Sequence, residues 1–407
     1  MPMKRKIKFT HLPVILASTS RIRFCLLPVI KPSRKRTSED IENPLPEDLS
    51  GKILDDLYLE QLIAVGSNGV LFRGLDIMDG NVYAVKIMIP GAKAKRAYLD
   101  EIASFDHLSR YPNCNEYIVC LYGHGEYTGS NSRRIRFTKD FRRRFKKYST
   151  AKNKKMTPVS DDYLYLKMEL MDMDLFSLVH FIQQEDAKKN DGISWVEEHP
   201  DIVKVLMLEL LLALNALHSL GVAHLDIKLE NILVKFAKNR TACDFYEHPN
   251  PKDIQLRIGD LGYTCTDKKH RKSMESNLSL CRPKGTPETA APEIIRKIFP
   301  KRKPYLSLED AQKADIWSMG ITFGEMLFDP HIFKLPQDAK DYFDSEDEDK
   351  FIRMFNNFVH GKDQVEYVSG EPETDEIITG LFYEMLNYYP KERPNTKQAI
   401  EMLSKII

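Results

Sequence analysis

The apolar residues of this chain change period partway along, and that change limits the fold more than any single motif does. In "YLEQLIAVGSNGVLFRGLDIMDGNVYAVKIMI", residues 58 to 89, apolar and β-branched side chains alternate with others. A period of two puts alternate side chains on one face of a pleated strand. "SNG" and "DGN" interrupt the pattern with turn residues, so the stretch predicts successive antiparallel strands. "AKAKRAYLDEIASFDHLSRY" then sets Ala97, Ile102, Phe105 and Leu108 at helical spacing. "EYIVCLYGHGEY" and "DYLYLKMELM" read as two more strands, with a basic insertion at about 127–160 between them. After Met171 the period becomes helical. Residues 201 to 218 read as one strongly apolar helix stopped by Gly221, and further helices are expected at about 313–328, 349–358, 374–387 and 396–406. Short strands surround "GVAHLDIKLENILV" (221 to 234) and "QLRIGDLG", with a polar segment, 237 to 253, between them. The pattern implies an α+β chain: a small β-rich lobe over 55–170 and a larger, mainly helical lobe over 171–407.

At 407 residues the chain is long enough to give each lobe its own core. With 60 basic against 59 acidic residues, net charge points to no partner, but the distribution of charge does. The first 38 residues contain no Asp or Glu, and residues 1–50 read as a basic, flexible extension. "KPSRKR" at 31 to 36 fits a nuclear address, so the expected location is intracellular, in nucleus or cytoplasm. Residues 133–155, "RRIRFTKDFRRRFKKYSTAKNKK", contain one acid, Asp140. Phe137, Phe141, Phe145 and Tyr148 recur there at helical spacing, as in a basic amphipathic helix able to meet an acidic partner or nucleic acid, or as in a plain solvated insertion. Six cysteines without a CxxC pair argue against a zinc framework or a disulfide-rich secreted fold, and favour a reducing compartment. The longest apolar run, Val205 to Leu217, is too short to span a bilayer and contains Glu209, so no transmembrane segment is expected.

Three separated signals carry chemistry. "AVGSNGVL" sets Gly66 and Gly69 between strand patterns, either as a plain hairpin turn or as backbone that approaches a phosphate. "YAVK" ends a strand on Lys86, which if buried needs a partner such as Glu101 on the next helix. "HLDIKLEN" and "GDLG" place Asp226, Asn231 and Asp260 at strand ends, with Gly262 following. Carboxylate and amide oxygens are ligands suited to Mg²⁺, with nucleotide phosphates completing the shell. A carboxylate base beside Lys228 suits phosphoryl transfer to a hydroxyl.

Taken together these residues resemble the signature set of eukaryotic-type serine/threonine protein kinases over about 55–407, with "APE" (291–293), "DIWSMG" (315–320) and "KERP" in the same order. The resemblance implies the two-lobed protein kinase fold, ATP and Mg²⁺ as cofactors and a protein substrate. It implies a nucleotide loop of Ala64, Val65, Gly66, Ser67, Asn68 and Gly69, and a phosphate-binding Lys86 paired with Glu101. Asp226 would accept the substrate proton, Lys228 would contact the γ-phosphate, and Asn231 and Asp260 would bind metal. Glu169 and Met171 would form the hinge, Met168 the rear of the pocket, and Leu71, Ala84 and Leu233 the faces around the base. Thr286 would bridge Asp226 and Lys228, and Arg393 would pair with Glu293. The lysine of "DIKLEN" and the form of "GTPETAAPE" imply a Ser or Thr acceptor.

The chain departs from the family at four places: Ala64 for the first glycine, Asn68 for the aromatic loop tip, "DLG" for the commoner phenylalanine form, and Leu225 for the arginine before the catalytic aspartate. A pseudokinase scaffold is the competing expectation, a small-molecule kinase a weaker one. Retention of Lys86, Asp226, Asn231 and Asp260 favours an active enzyme.

Overall fold

A computed structural model describes residues 49–66, 69–108, 114–129, 139–148, 157–189, 192–266, 281–286, 288–298, 306–328 and 367–407. The alternating stretch forms β2 (Leu57–Gly66), β3 (Gly69–Asp76) and β4 (Val82–Met88), preceded by β1 (Lys52–Leu54). With β5 (Leu121–Tyr127), β6 (Thr157–Pro158) and β7 (Tyr163–Met168) they make a seven-stranded sheet in the order β5-β7-β4-β3-β2-β1-β6. Leu54, Leu59, Phe72, Val85, Ile87 and Tyr127 fill one buried cluster of this lobe. Helix α1 (Ala92–Leu108) closes another through Tyr98 and Ile102, packed with Met88, Leu164 and Leu166. A short turn of helix, α2 (Cys114–Tyr117), leads into β5.

The described part of the basic insertion takes the form of an amphipathic helix rather than a plain solvated one. Its helix α3 (Lys139–Tyr148) buries Phe141 and Phe145 against Ile53, Tyr58, Leu75 and Ile77. The Phe145 ring meets the Tyr58 ring edge-on at 4.9 Å. Tyr148 covers the "DGN" turn, where a Cβ on Gly80 (φ +80°) would come within 2.6 Å of its ring. Arg144 donates to the Met78 carbonyl at 2.7 Å and pairs with Asp140. The helix is therefore pinned by two aromatic side chains and an edge of polar bonds, with its other arginines and lysines outward. Phe145→Ala is expected to cost about 3–5 kcal/mol, as for other buried Phe truncations, read from urea denaturation. A cost within about 0.5 kcal/mol, the range of ordinary surface changes, would show that the helix is not docked in solution. Phe137 and the rest of the basic block, Ser67, Asn68, "KPSRKR" and the helix expected at 349–358 lie outside the described residues.

The second lobe begins with β8 (Met173–Asp174), α4 (Leu175–Lys189) and α5 (Trp195–Glu198). Its centre is α6 (Pro200–Ser219), long and apolar enough to cross a membrane by length and composition alone. Here Val203, Leu206, Met207, Leu210, Leu211, Leu214 and Leu217 are packed into the lobe's core with residues of the surrounding helices and strands, so α6 is a core helix. Then come β9 (Val222–Ala223), β10 (Ile232–Phe236), α7 (Ala242–Glu247), β11 (Ile254–Ile258) and β12 (Cys265–Thr266). Helix α7 falls inside the polar segment, started by a reciprocal Thr241–Asp244 cap. The remaining helices are α8 (Pro292–Ile298), α9 (Leu308–Leu327), α10 (Pro372–Met385) and α11 (Thr396–Leu403). Strand order β11-β10-β8 makes one small sheet, and β12-β9 another. The architecture is the two-lobed α+β fold.

Cysteine spacing favoured a reducing compartment over a disulfide-rich fold, yet disulfides are present. Cys265 and Cys281 are bonded, with Cα atoms 5.5 Å apart, and Cys243 is in a further disulfide. Topology, not local spacing, brings the pair together: Cys265 lies on β12, and Cys281 bridges to Leu306.

Candidate active site

Lys86 leaves β4 opposite Leu71 of β3 and Leu166 of β7. Its Nζ donates to both Glu101 oxygens, at 3.0 and 2.9 Å, and to Asp260 Oδ1 at 3.1 Å. Glu101 comes from α1 and is 2 % exposed, so the pair spans from the sheet to its flanking helix. Burial works to lower the Lys86 pKa, but the Glu101 and Asp260 carboxylates outweigh it and hold the ammonium above its usual value. Burial pushes Glu101 up while Lys86 opposes that shift. With both its oxygens bonded to one ammonium, the pair is ionised. Burial would also raise Asp260, but Lys86 dominates and its carboxyl stands below the usual range.

Asp260 has left-handed backbone (φ +52°), which turns its carboxylate toward Lys86. The following turn is tied to α1 by the Ser104 and Thr264 hydroxyls, 2.5 Å apart. That contact was not visible in the sequence. It ties the turn after Asp260 to the same helix that holds Glu101.

On the other side of the cleft, the loop between β9 and β10 presents Asp226, Lys228 and Asn231. Asp226 Oδ1 accepts from the Thr286 amide at 2.8 Å and the Thr286 hydroxyl at 2.7 Å. Asn231 Nδ2 donates to Asp226 Oδ2 and to the Asp226 carbonyl, both at 2.8 Å. Lys228 Nζ donates to Thr286 Oγ1 at 2.7 Å and lies 3.4 Å from Asp226 Oδ2. Thr286 thus bridges the aspartate and the lysine from 60 residues away. Asn231's donor end is spent on Asp226, which leaves its Oδ1 as the group available to a cation.

His224 and Asp315 hold this loop in place. Asp315 on α9 is fully buried and accepts from the His224 amide (2.7 Å), the Leu225 amide (2.7 Å) and His218 Nε2 (3.0 Å). His224 Nδ1 accepts from the Asp226 amide at 3.2 Å, so its Nε2 carries the proton and donates to the Gly259 carbonyl at 2.9 Å. Leu225 between them takes left-handed backbone (φ +66°) and is 5 % exposed. The sequence places Asp315 only in the motif "DIWSMG"; its three-way role was not legible, because its partners lie about 90 residues earlier.

The hinge runs from Met168 to Asp172. Met168 pairs with Ala84, and Glu169 donates its amide to the Cys120 carbonyl at 2.9 Å. The Glu169 side chain pairs with Arg257, and Lys235 takes the Leu170 carbonyl at 2.9 Å. Among the described residues, no protein partner meets the Glu169 carbonyl or the Met171 amide. Those two groups form a donor–acceptor edge suited to a base. Leu233 sits opposite Asp174 and Arg257 in the small sheet, and Leu71 opposite Ala64 and Lys86. The glycine hairpin pairs Gly66 with Gly69 and Val65 with Val70. Gly69 (φ +152°) is required by packing as well, since a Cβ there would lie 2.5 Å from the Ile87 carbonyl. Asp174, not picked out in the sequence, caps α4 through the Ser177 amide at 2.7 Å, beside Leu233.

The Arg393–Glu293 pair is made in full. Arg393 Nη1 and Nη2 donate to the two Glu293 oxygens at 2.7 and 2.9 Å, and the guanidinium lies 5.0 Å from the Trp317 ring centre.

The model of the protein kinase domain matches residues 58–403. Among curated proteins, the interferon-induced, double-stranded RNA-activated protein kinase of Rattus norvegicus is 23% identical over 379 residues, covering 91% of this chain and 57% of that protein. The probable serine/threonine protein kinase IRE4 of Arabidopsis thaliana is 27% identical over 251 residues, 60% of this chain and 20% of its own. The DNA damage response protein kinase DUN1 of Saccharomyces cerevisiae is 34% identical over 124 residues, 30% of this chain and 21% of its own. The chain therefore spans between a fifth and somewhat over half of the length of these relatives. A domain match that runs from β2 to the last helix, over a cleft with these contacts, places the chain in the protein kinase family.

Proposed function

We propose that this protein kinase transfers the γ-phosphoryl group of ATP, with Mg²⁺, to Ser or Thr hydroxyls of protein substrates. The observation that carries it is the convergence of two preset groups on one cleft: the Lys86–Glu101–Asp260 contact and the Asp226–Thr286–Lys228 bridge. A scaffold that only bound partners would need neither. The donor set fits a nucleotide-bound cation. Asp260 keeps a side chain 41% exposed and Asn231 offers Oδ1, yet among the described residues no cluster of three or more His, Cys, Asp or Glu makes a metal cage by itself. Phosphate oxygens must complete such a shell.

Lys86 would hold the α- and β-phosphates, kept charged by Glu101. Bound Mg²⁺ supplies charge neutralisation at the phosphates. Asp226 would orient the acceptor hydroxyl and take its proton, while Lys228 would steady the transferred group. Incubation with Mg²⁺ and labelled ATP on an arrayed peptide library tests the proposal: label on Ser and Thr peptides is the expected result, and no label, or label on Tyr alone, overturns it.

Acidic residues beside the acceptor site support a basic substrate. Burial pushes the Glu325 carboxyl up to about 8; Glu230 and Glu288 add to the rise, and Lys228 opposes it. Between the ordinary carboxylate pKa and about 8 the folded protein keeps a proton that the unfolded chain has lost, so this group lowers stability as pH rises through that window. A guanidinium arriving here would favour the ionised form and release a proton. Preference for Arg or Lys just before the acceptor is expected, with proton release on peptide binding at neutral pH seen by calorimetry in buffers of different ionisation enthalpy. Preference for acidic residues there would refute it.

Leu225 also bears on control. It has no charge to pair with a phosphate, so phosphorylation of Thr264, Thr266, Ser273, Ser276 or Ser279 is not expected to be the main switch. The last three lie outside the described residues. Phosphatase treatment should leave activity within a few-fold; a collapse comparable to Asp226→Asn would assign the arginine's role to another cation.

A further inference from the structure

The chain leaves the cleft after Asp260 through β12, where Cys265 pairs with Ala223 and Thr266 with Val222 of β9. It is described again at Cys281, which exchanges backbone bonds with Leu306 at 2.8 and 2.9 Å. The disulfide joins these two anchor points across 16 residues of sequence. Cys281 is 1% exposed, in one apolar cluster with Ala223, Leu225, Ala291, Ile294 and Leu306. Cys265 is half-buried at its edge. Four residues after Cys281, Gly285 (φ +136°) sits so close that a Cβ would lie 2.6 Å from the Leu225 carbonyl. The next residue, Thr286, makes both bonds to Asp226 Oδ1 and accepts from Lys228. A continuous path thus runs from the disulfide, along five residues, to the acceptor carboxylate. Leu225, part of that cluster, cannot use a phosphate to hold this path in place.

We propose that the Cys265–Cys281 disulfide is a redox-controlled clamp on the acceptor site: oxidised, it holds Thr286 on Asp226 and Lys228; reduced, it releases that register and lowers phosphoryl transfer. The exchange partner is a small thiol/disulfide couple. A thiolate RS⁻ attacks the more accessible Cys265 sulfur, forming Cys265–S–S–R and freeing Cys281 as a thiolate that takes up the proton lost by RSH. A second RSH attacks the mixed disulfide and leaves Cys265 as a thiol. The sum is one protein disulfide and two RSH giving two protein thiols and RSSR, with two electrons passed to the protein; excess RSSR runs it backward.

The proposal rests on the kinase reading of the site, so its test includes a readout that needs no activity. The purified full chain is equilibrated with dithiothreitol or with glutathione disulfide. The bond is followed by non-reducing tryptic mapping, since Lys268, Lys269, Arg271 and Lys272 fall between the two cysteines. Reduction is expected to speed amide exchange at Cys281 and Leu306 by about tenfold or more, and to lower kcat by about tenfold or more through displaced geometry. Glutathione disulfide should restore both. Because Cys243 is also in a disulfide, Cys265→Ser and Cys281→Ser are the controls: each should sit at the reduced level and no longer respond. Exchange and kcat unchanged after mapping shows the bond broken would overturn the clamp. So would serine variants that still lose activity in dithiothreitol, or failure to find the linked peptides after oxidation. If no phosphorylation appears in either state, the phosphotransfer proposal fails, and the exchange data still decide whether the bond holds this register.

Discussion

Asp226→Asn is expected to lower kcat by about 10²–10⁴-fold, the range for removing a positioned proton acceptor. The substitution keeps the shape of the side chain but cannot keep its bonds. Both Thr286 donors converge on Oδ1, and the Asn231 amide points at Oδ2. Whichever way an asparagine amide is turned, its NH₂ faces a donor. The variant therefore loses the base and sets a donor against a donor beside Lys228. Far-ultraviolet circular dichroism and thermal melting check that it still folds, and single-turnover phosphorylation reads the loss. Turnover within a few-fold of the parent would remove Asp226 from the role given to it. Lys86→Met is the companion variant, expected to lose phosphate positioning and to leave Glu101 buried beside an apolar side chain.

Arg393→Ala is expected to destabilise the second lobe by about 3–5 kcal/mol, the cost of breaking a buried ion pair by removing one partner. Arg393 has a fully buried side chain and donates to Glu293, to the Asn387, Lys313 and Tyr388 carbonyls, and lies over Trp317. Its loss orphans the Glu293 carboxylate and the Asn387 and Tyr388 carbonyls at once, while the Lys313 carbonyl keeps its bond inside α9. Lysine cannot repair this, because one ammonium does not reproduce a planar fork with donors in several directions. Urea denaturation monitored by Trp fluorescence reads the change, with Trp317 in direct contact. A loss below about 1 kcal/mol would place the pair among the weakly contributing surface bridges.

What was legible in the sequence was whatever the chain encodes locally. The β2–β4 meander was readable because alternation and turn chemistry agreed, and the cluster of Asp226, Lys228 and Asn231 because six residues hold it. Thr286 and Arg393 were placed through likeness to a family, not through physics, since their partners stand 60 and 100 residues away. The missed features share that cause. The docking of α3 depends on Ile53 and Leu75, far upstream of its two phenylalanines. The Cys265–Cys281 bond depends on where β9 and Leu306 bring two unrelated stretches. The Ser104–Thr264 contact joins two lobes that no periodicity relates.

The Asp315 carboxylate has a mechanical consequence. It suspends the backbone at His224 and Leu225 from α9, a helix buried along most of its length. Lys86 and Glu101 hang instead from a sheet and from α1. On the roles proposed above, the acceptor carboxylate and the phosphate-holding lysine thus belong to different frames, bridged by Lys86 to Asp260 and by Ser104 to Thr264. A ligand or partner that tilts α1 would move the donor phosphate while the acceptor stays at rest. Such an effector would change turnover and nucleotide affinity together, yet leave the affinity for a substrate peptide alone, because the coordinate it moves is the gap between two bodies whose separate interiors are undisturbed.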